Sequence, residues 1–473
     1  MRNSKISISD MFCFCLSIVS LIFAIIILIC SSNDRYIFLF VLPLVFSIVN
    51  GFSYKIYRKI SKSPVTLIIV LFYYIRYCLS PFLFILGGCV NFYPVSFTTG
   101  SFYYAIIILC MEIITVYFVA SRYVKKSEGT SFQKQDYLNK SNHMFFFAFL
   151  LLLFILITYF YVPEIQQVNL FIFDVKWENL ASISFDNETI VARGSIKRYI
   201  YSLWSFLWPI LRIIIAPLFM SFFYSKISNK NISLVLCAGS AVLPCLFIGA
   251  DNISPFIGIA LGAITIRHLY GRKSNYLIVL FSVVAAILMG IIISSKALEF
   301  QSWRGLSGVS LFAQLINQYF PGIENGALTL DLPKGNYFEH LFFDFYYAIP
   351  FKETLFSLDG TRLNDIFNSY VKLKGTIIPF NFQLSYYFTG VGGCVIVGSL
   401  VRMAYNYEMK ANNSVSFWDY YVSMYASFLI ASSISIYSFS IFFRNVIGIY
   451  LPIKILLFIA KKRHYNKIDR NAL

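Results

Sequence analysis

Four cations interrupt runs of apolar residues: Arg76, Arg212, Arg444 and Lys454. A charge inside a bilayer is costly unless it is paired or lines a water-filled cavity, so each is a candidate for function. Arg76 also fits a snorkelling or structurally paired cation, and Lys454 a snorkelling one. Arg212 follows Trp208 and Pro209 and is placed to face a cavity, while Arg444 sits near one end of the last apolar run. A second set flanks the runs: Arg193, Lys197 and Arg198 on one loop, Lys296 and Arg304 on another. The stretch from Gln301 to Gly308 sets Arg304 beside Trp303 and two glycines. The planar fork of arginine matches two phosphate oxygens at once, so Arg193, Arg198, Arg212, Arg304 and Arg444 suit a diphosphate. Attraction to anionic lipid headgroups is the other reading of the flanking set.

Proton-transfer candidates gather in one segment: Glu299, Glu324, Asp331, Glu339, His340 and Asp344. Glu339 and His340 are adjacent, and an imidazole titrates near neutral pH. Such a pair is more often a surface pair than a catalyst. Aromatic residues crowd this segment too (Tyr319, Phe320, Tyr337, Phe338, Phe342, Phe343, Phe345, Tyr346, Tyr347), fitting either sugar faces or apolar packing. Among the 4 histidines no metal-binding cluster forms, so no metal is expected. No phosphate-binding glycine loop, dinucleotide fingerprint or HExxH is present, so no cofactor is expected and any substrate must arrive activated. The 9 cysteines (Cys13, Cys15, Cys30, Cys78, Cys89, Cys110, Cys237, Cys245, Cys394) include no CxxC pair. They read as small buried apolar residues.

The elements that carry these residues follow from composition. The 473 residues are 58% hydrophobic and 13% charged, against about 45–50% and 25% for a soluble domain. That surplus excludes a soluble, disordered or nucleic-acid-binding chain and implies an all-α, polytopic membrane protein. Runs long enough to cross a bilayer fall near 11–30, 36–51, 65–87, 102–121, 144–162, 198–223, 232–249, 253–270, 275–294, 380–402, 417–438 and 441–460. About twelve membrane helices are therefore expected. Lys and Arg concentrate in alternate loops, among them Lys55, Arg58, Lys59 and Lys62, then Arg122, Lys125 and Lys126, then Arg267, Arg272 and Lys273. The positive-inside rule makes those loops and both termini cytoplasmic and accounts for most of the +17 net charge. The first run is too long for a signal-peptide core and is read as a retained anchor.

Two long connections face outward on this reading, 163–197 and 295–379. Within the second, Leu311–Phe320, Tyr337–Tyr347 and Leu363–Val371 carry apolar residues at helical spacing, which predicts amphipathic helices along the outer membrane surface. Pro321, Gly322, Pro333, Gly335, Pro350 and Gly360 punctuate them. The chain thus divides into 1–294 with nine spans, a large outer loop over 295–379, and 380–473 with three spans and a basic tail.

The layout resembles Wzy-type O-antigen polymerases, the enzymes that join oligosaccharide repeat units. The likeness rests on many spans, a large outer loop in the C-terminal half, and three short stretches. Lys374-Gly375-Thr376-Ile377-Ile378-Pro379 leads into Gln383-Leu384-Ser385-Tyr386-Tyr387-Phe388-Thr389-Gly390-Val391-Gly392-Gly393, like that family's re-entry from the loop into a helix opening Gly-x-x-Gly. Phe443-Arg444-Asn445 is similar to an arginine such polymerases carry in the last span. The related O-antigen ligases have a His-Asn pair ahead of the Gly-x-x-Gly; here Ile378-Pro379-Phe380-Asn381 has no histidine. A polysaccharide flippase shares the span number, but its outer loops are short.

The resemblance implies a GT-C-like glycosyltransferase architecture in the bacterial inner membrane, acting at its periplasmic face. It implies an undecaprenyl-diphosphate-linked glycan as substrate, membrane lipid as surroundings, and a chain-length regulator as protein partner. A hydroxyl of one repeat unit would attack the anomeric carbon of another, and undecaprenyl diphosphate would leave. Fixed arginines stabilise that leaving charge without a metal. His340 or Glu339 would then take the hydroxyl proton.

Overall fold

The structure is a computed structural model. It describes residues 8–31, 34–60, 63–91, 93–126, 141–161, 196–246, 254–277, 306–349, 360–372, 377–436 and 438–459, apart from Val415, together with isolated positions at 279–287 and 358. Among these residues every regular element is a helix, and 7 helices are long and apolar enough to cross a membrane. The chain is a multi-pass helical membrane protein. A helix lies on each predicted apolar run except 275–294, most of which is outside the described residues.

The helices are α1 (Ile8–Cys30), α2 (Val41–Phe52), α3 (Pro64–Tyr74), α4 (Ser80–Leu86), α5 (Thr99–Lys126), α6 (Ser141–Tyr161), α7 (Ile196–Lys226), α8 (Lys230–Leu246) and α9 (Ser254–Tyr270). There follow α10 (Gly308–Tyr319), α11 (Ile323–Leu330), α12 (Tyr337–Tyr346), α13 (Leu363–Val371), α14 (Phe380–Asn412), α15 (Phe417–Ile436) and α16 (Phe439–Asn445). A π-helical turn, Ile75–Leu79, joins α3 to α4, and another, Val446–Tyr450, extends α16. Pro64 sits in the first turn of α3, where its missing N–H costs nothing, and Ser63 caps that end by accepting from Thr66 N. Ser63 Oγ also donates to Glu408 Oε2 at 2.7 Å, and Val65 N to Oε1 at 3.4 Å, which binds the far end of α14 to the start of α3. Helix α15 runs through the middle of the bundle, buried on all sides at every position but Asp419.

The centre of the bundle holds an ion pair. Glu112 lies near the middle of the span Thr99–Tyr123, and Arg76 near the middle of Pro64–Leu86. Arg76 Nη1 is 3.1 Å from Glu112 Oε1, with side chains 1% and 0% exposed. Tyr73 OH donates to Oε1 at 2.9 Å, and Asn381 Nδ2 to Oε2 at 3.0 Å. Both carboxylate oxygens are thus engaged, as a buried charge requires. Of the two readings open for Arg76, the structural pair is the one found.

The run 380–402 is two helices rather than one span. Phe388 has φ −124° and Thr389 φ 67°, a left-handed value rare for a β-branched residue. The chain reverses there: Asn381 Nδ2 comes within 3.6 Å of Cys394 Sγ, thirteen positions later. A Cβ on Gly393 would stand 2.7 Å from Ser385 Oγ and 2.8 Å from Asn381 Oδ1, so only glycine lets the two halves close. Residues 380–387 therefore climb from the level of Glu112, turn, and return as 390–412 alongside α5. Arg402 Nε donating to Tyr123 OH at 2.8 Å marks the far end of that descent.

A second reversal lies beside the first. The spacing of Leu311–Phe320 predicted a helix on the membrane surface; α10 instead packs along α4 and enters the bundle. Gln314 Nε2 donates to Val90 O at 2.7 Å, and the Phe320 ring meets Phe72 at 5.3 Å, beside Tyr73. Pro321 and Gly322 turn the chain, and α11, buried from Ile323 to Thr329, climbs back to the Thr99 end. There the Asp331 carboxylate accepts from Thr98 N at 2.6 Å and Ser101 Oγ at 2.5 Å, at the N-terminus of α5. Asn325 ties the two reversals together: Nδ2 donates to Ile377 O and to Tyr93 OH, each at 2.9 Å. Apolar surface on α10 thus faces protein because the flanking spans leave a groove for it.

Replacing Glu112 by Leu alone should lower stability by about 3–5 kcal/mol, because Arg76 stays buried and unpaired. Arg76→Met combined with Glu112→Leu should recover most of the loss. The check is the thermal unfolding midpoint of the wild type and both variants in detergent.

Candidate functional site

Where the half-helix 380–387 meets α12 and the start of α16, a buried acid is held by three elements. Asp344, in the last turns of α12, is 1% exposed. Gln383 Nε2 donates to its Oδ2 at 2.5 Å, and Tyr387 OH donates to the same oxygen. Gln383 Nε2 also reaches Ser440 Oγ at 2.8 Å, while Gln383 Oε1 accepts from Phe439 N at 2.9 Å. Gln383 therefore stitches the acid to the N-terminus of α16, which Ser438 caps by accepting from Ile441 N. Phe345, the neighbour of Asp344, packs its ring 4.3 Å from Phe443 and fixes how α12 docks.

Burial pushes the Asp344 carboxyl above the ordinary carboxylate range; hydrogen bonds from Tyr387 and Gln383, the nearby Ser440 hydroxyl and the Arg362 charge oppose that rise. Arg362 stands just before α13 and grips Asp365 side-on with one edge of its guanidinium, Nε to Oδ2 at 2.8 Å and Nη2 to Oδ1 at 2.7 Å. Its guanidinium also lies 4.5 Å over the Tyr347 ring. A carboxyl with a raised proton affinity near one held cation, Arg362, is an arrangement suited to acid–base work.

The sequence candidates fall around this cluster in different ways. Arg444 follows Ser440 by four residues, so the two share one face of the last helix, and Arg444 is exposed. His340 precedes Asp344 by four residues on α12, and its Nδ1 lies 3.1 Å from Thr361 O. Glu339 is exposed in the first turn, its N–H donating to Asn336 Oδ1 at 3.3 Å. Arg212 is buried, 5% exposed, midway along α7. Arg193 and Arg304 lie outside the described residues, and so does the side chain of Arg198. Glu324, another acid–base candidate, is buried on α11 and accepts from Tyr93 N at 3.4 Å. Asp331 holds the start of α5. Arg362, Tyr387 and Gln383 were not read as site residues from sequence. The signal was there for Arg362 alone, an arginine three residues ahead of Asp365 at a helix start. Among the described residues, no group of His, Cys, Asp and Glu is placed to hold a metal ion.

No protein-family model, no curated protein and no solved structure matches the chain. The site must be read on its own chemistry.

Asp344→Asn keeps an oxygen to accept from Gln383 and Tyr387 and should fold as well as the wild type. Asp344→Leu leaves both donors unpaired and should cost about 1–3 kcal/mol. Because the folded carboxyl is raised, its neutral form favours the fold. Wild-type stability should therefore fall as pH climbs from the ordinary carboxylate range through the raised value, and the Asn variant should lack that slope. Denaturation midpoints from pH 4 to pH 8, on the order of a half-unit apart, check both points.

Proposed function

We propose that this chain is an oligosaccharide repeat-unit polymerase of the O-antigen type, a glycosyltransferase acting on undecaprenyl-diphosphate-linked glycans at the outer face of the bacterial inner membrane. The observation that carries the reading is the buried Asp344, which Gln383 ties to Ser440 at the start of the helix that carries Arg444, with the Arg362 charge nearby. The positive-inside distribution assigns this end of the bundle to the outside and both termini to the cytoplasm. On this reading the architecture is GT-C-like with the long loop on its catalytic side, and a chain-length regulator would act on the same face.

In this mechanism a hydroxyl of the acceptor glycan attacks the anomeric carbon of the donor. The new glycosidic bond forms as the bond from that carbon to the diphosphate oxygen breaks. Asp344 accepts the hydroxyl proton, with His340 one turn away on α12 and Glu339 next to it as further proton-transfer groups. Arg444, exposed on the last helix, would hold the diphosphate as it leaves with its negative charge, and Arg362 adds to the positive field. Arg193, Arg198, Arg212 and Arg304 are the remaining cations assigned to the diphosphate. Such charges accelerate the reaction because they hold the leaving group more strongly than the ground state.

A second reading, a flippase for lipid-linked repeat units, draws support from the broken helix 380–412 and the reversal at Pro321, since transporters build midplane sites from interrupted helices. The two readings part in a strain lacking this chain. A polymerase defect leaves lipopolysaccharide capped with a single repeat unit; a flippase defect leaves lipid-linked units on the cytoplasmic side and no capped product. Restoring the chain as Arg444→Ala or Asp344→Asn should each lower polymer yield by about 100-fold or more, with single-unit product persisting. Full-length polymer from both variants overturns the assignment.

A further inference from the structure

A second feature of the same end of the bundle is a cavity of about 320 Å³ on the other side of the half-helix 380–387. Its volume is at the lower end of the roughly 300–1,000 Å³ of small-molecule sites. Gly100, Ser101 and Tyr104 from the start of α5 form one wall, and Leu330 and Leu332 from the end of α11 form another. Lys334, Tyr337, Ser385 and Tyr386 complete it.

The walls are fixed. Asp331 pins the α11 side to Thr98 and Ser101, and Tyr386 OH donates to Pro333 O at 3.1 Å. The Tyr337 and Tyr386 rings meet edge to face at 5.0 Å. Ser385 is 7% exposed, and its hydroxyl has no hydrogen-bond partner among the described residues.

The chemistry of the lining is one-sided. Aromatic rings supply flat apolar faces that fit the C–H face of a sugar. With Ser101 Oγ donating to Asp331 and Tyr386 OH to Pro333 O, the polar groups left for a ligand are the Tyr104 and Tyr337 hydroxyls and the Lys334 ammonium, the one charge in the lining. It contains no carboxylate or amide side chain, the usual acceptors for the hydroxyls of a neutral sugar. The nearest acid, Asp331, already accepts from Thr98 N, Thr98 Oγ1 and Ser101 Oγ. An acidic group on the ligand would match the one charge in the lining, Lys334.

We infer that this cavity is a saccharide subsite for a sugar ring bearing an acidic group, stacked on Tyr337 and Tyr386 with its carboxylate toward Lys334. The inference rests on the glycosyltransferase reading for its biological meaning and adds to it the class of sugar. Tyr337 lies two helical turns from Asp344 on α12, so the cavity and the acid share one supporting helix.

The test uses the full chain in detergent, with glucuronate and glucose as probes in saturation-transfer NMR. Glucuronate should receive saturation and glucose much less. Lys334→Met should weaken glucuronate binding at least fivefold and leave glucose unchanged, and Tyr337→Ala should abolish both signals. Lys334→Met, an exposed position, decides the matter if Tyr337→Ala does not fold. Absence of transfer to glucuronate, equal transfer in wild type and Lys334→Met, or displacement of the sugar by inorganic phosphate would overturn the subsite. Polymer formation that persists alongside such a negative result would fault the subsite alone. Glucuronate binding by a chain that makes no polymer would fault the polymerase reading alone.

Discussion

One carboxylate at the centre of the bundle determines where the rest of the site can be. Glu112 receives Arg76 and Tyr73 from one side and Asn381 from the other. In a low-dielectric interior neither charge is tolerated alone, so the spans that carry them have a single relative height and rotation. Asn381 transmits that constraint to the first turn of the half-helix 380–387. The bond from Asn381 to Glu112 thus sets the depth from which the chain climbs toward Gln383 and Tyr387.

Reversals of the backbone inside a bilayer are tolerated only where protein satisfies the exposed peptide groups. Here the reversal at Pro321 and Gly322 is satisfied by its own asparagines and tied to the chain ahead of α14. Asn325 on α11 donates to Ile377 O ahead of α14, Asn317 Nδ2 donates to Asn325 Oδ1 at 3.1 Å, and Gly322 N donates to Asn317 Oδ1 at 3.2 Å. The Phe382 ring closes against Gly326, a contact that any larger residue would block. The left-handed Thr389 stores strain, of order 1–3 kcal/mol, at the point where Tyr387 is aimed at Asp344. Strain held by surrounding packing at that position fits a preorganised site.

Much of the scaffold was legible from residue type and spacing. Apolar run length located the helices, because a bilayer demands about 20 apolar residues whatever the partner. Helical spacing located α12 and α13 in the long loop. Local spacing could not say which protein surface would receive an apolar helix, so α10 was read as lying on the membrane when a groove beside α4 takes it. The break in 380–412 was hidden for a related reason. Tyr387, Phe388 and Thr389 are apolar enough to continue a span, and the reversal depends on Gly393 closing against Asn381, a contact made only in three dimensions. For the site, Arg444 was visible as a charge inside an apolar run, while Asp344 was one of six acid–base candidates in the long loop, behind His340 and Glu339. Glu112 was overlooked although a lone acid in the run 102–121 carries the same signal that drew attention to Arg76. Gln383 and Tyr387 had no signal, since their role is to touch an acid on another helix.

On the polymerase proposal, the reversed half-helix holds Asp344 in place for bond formation on a lipid-linked glycan. The measurement that tests it most directly is turnover by the purified chain in proteoliposomes supplied only with undecaprenyl-diphosphate-linked repeat units. Undecaprenyl diphosphate should be released in step with each new glycosidic linkage, without added nucleotide or metal. Movement of the lipid-linked units across the bilayer with no linkage formed and no diphosphate carrier released would contradict it.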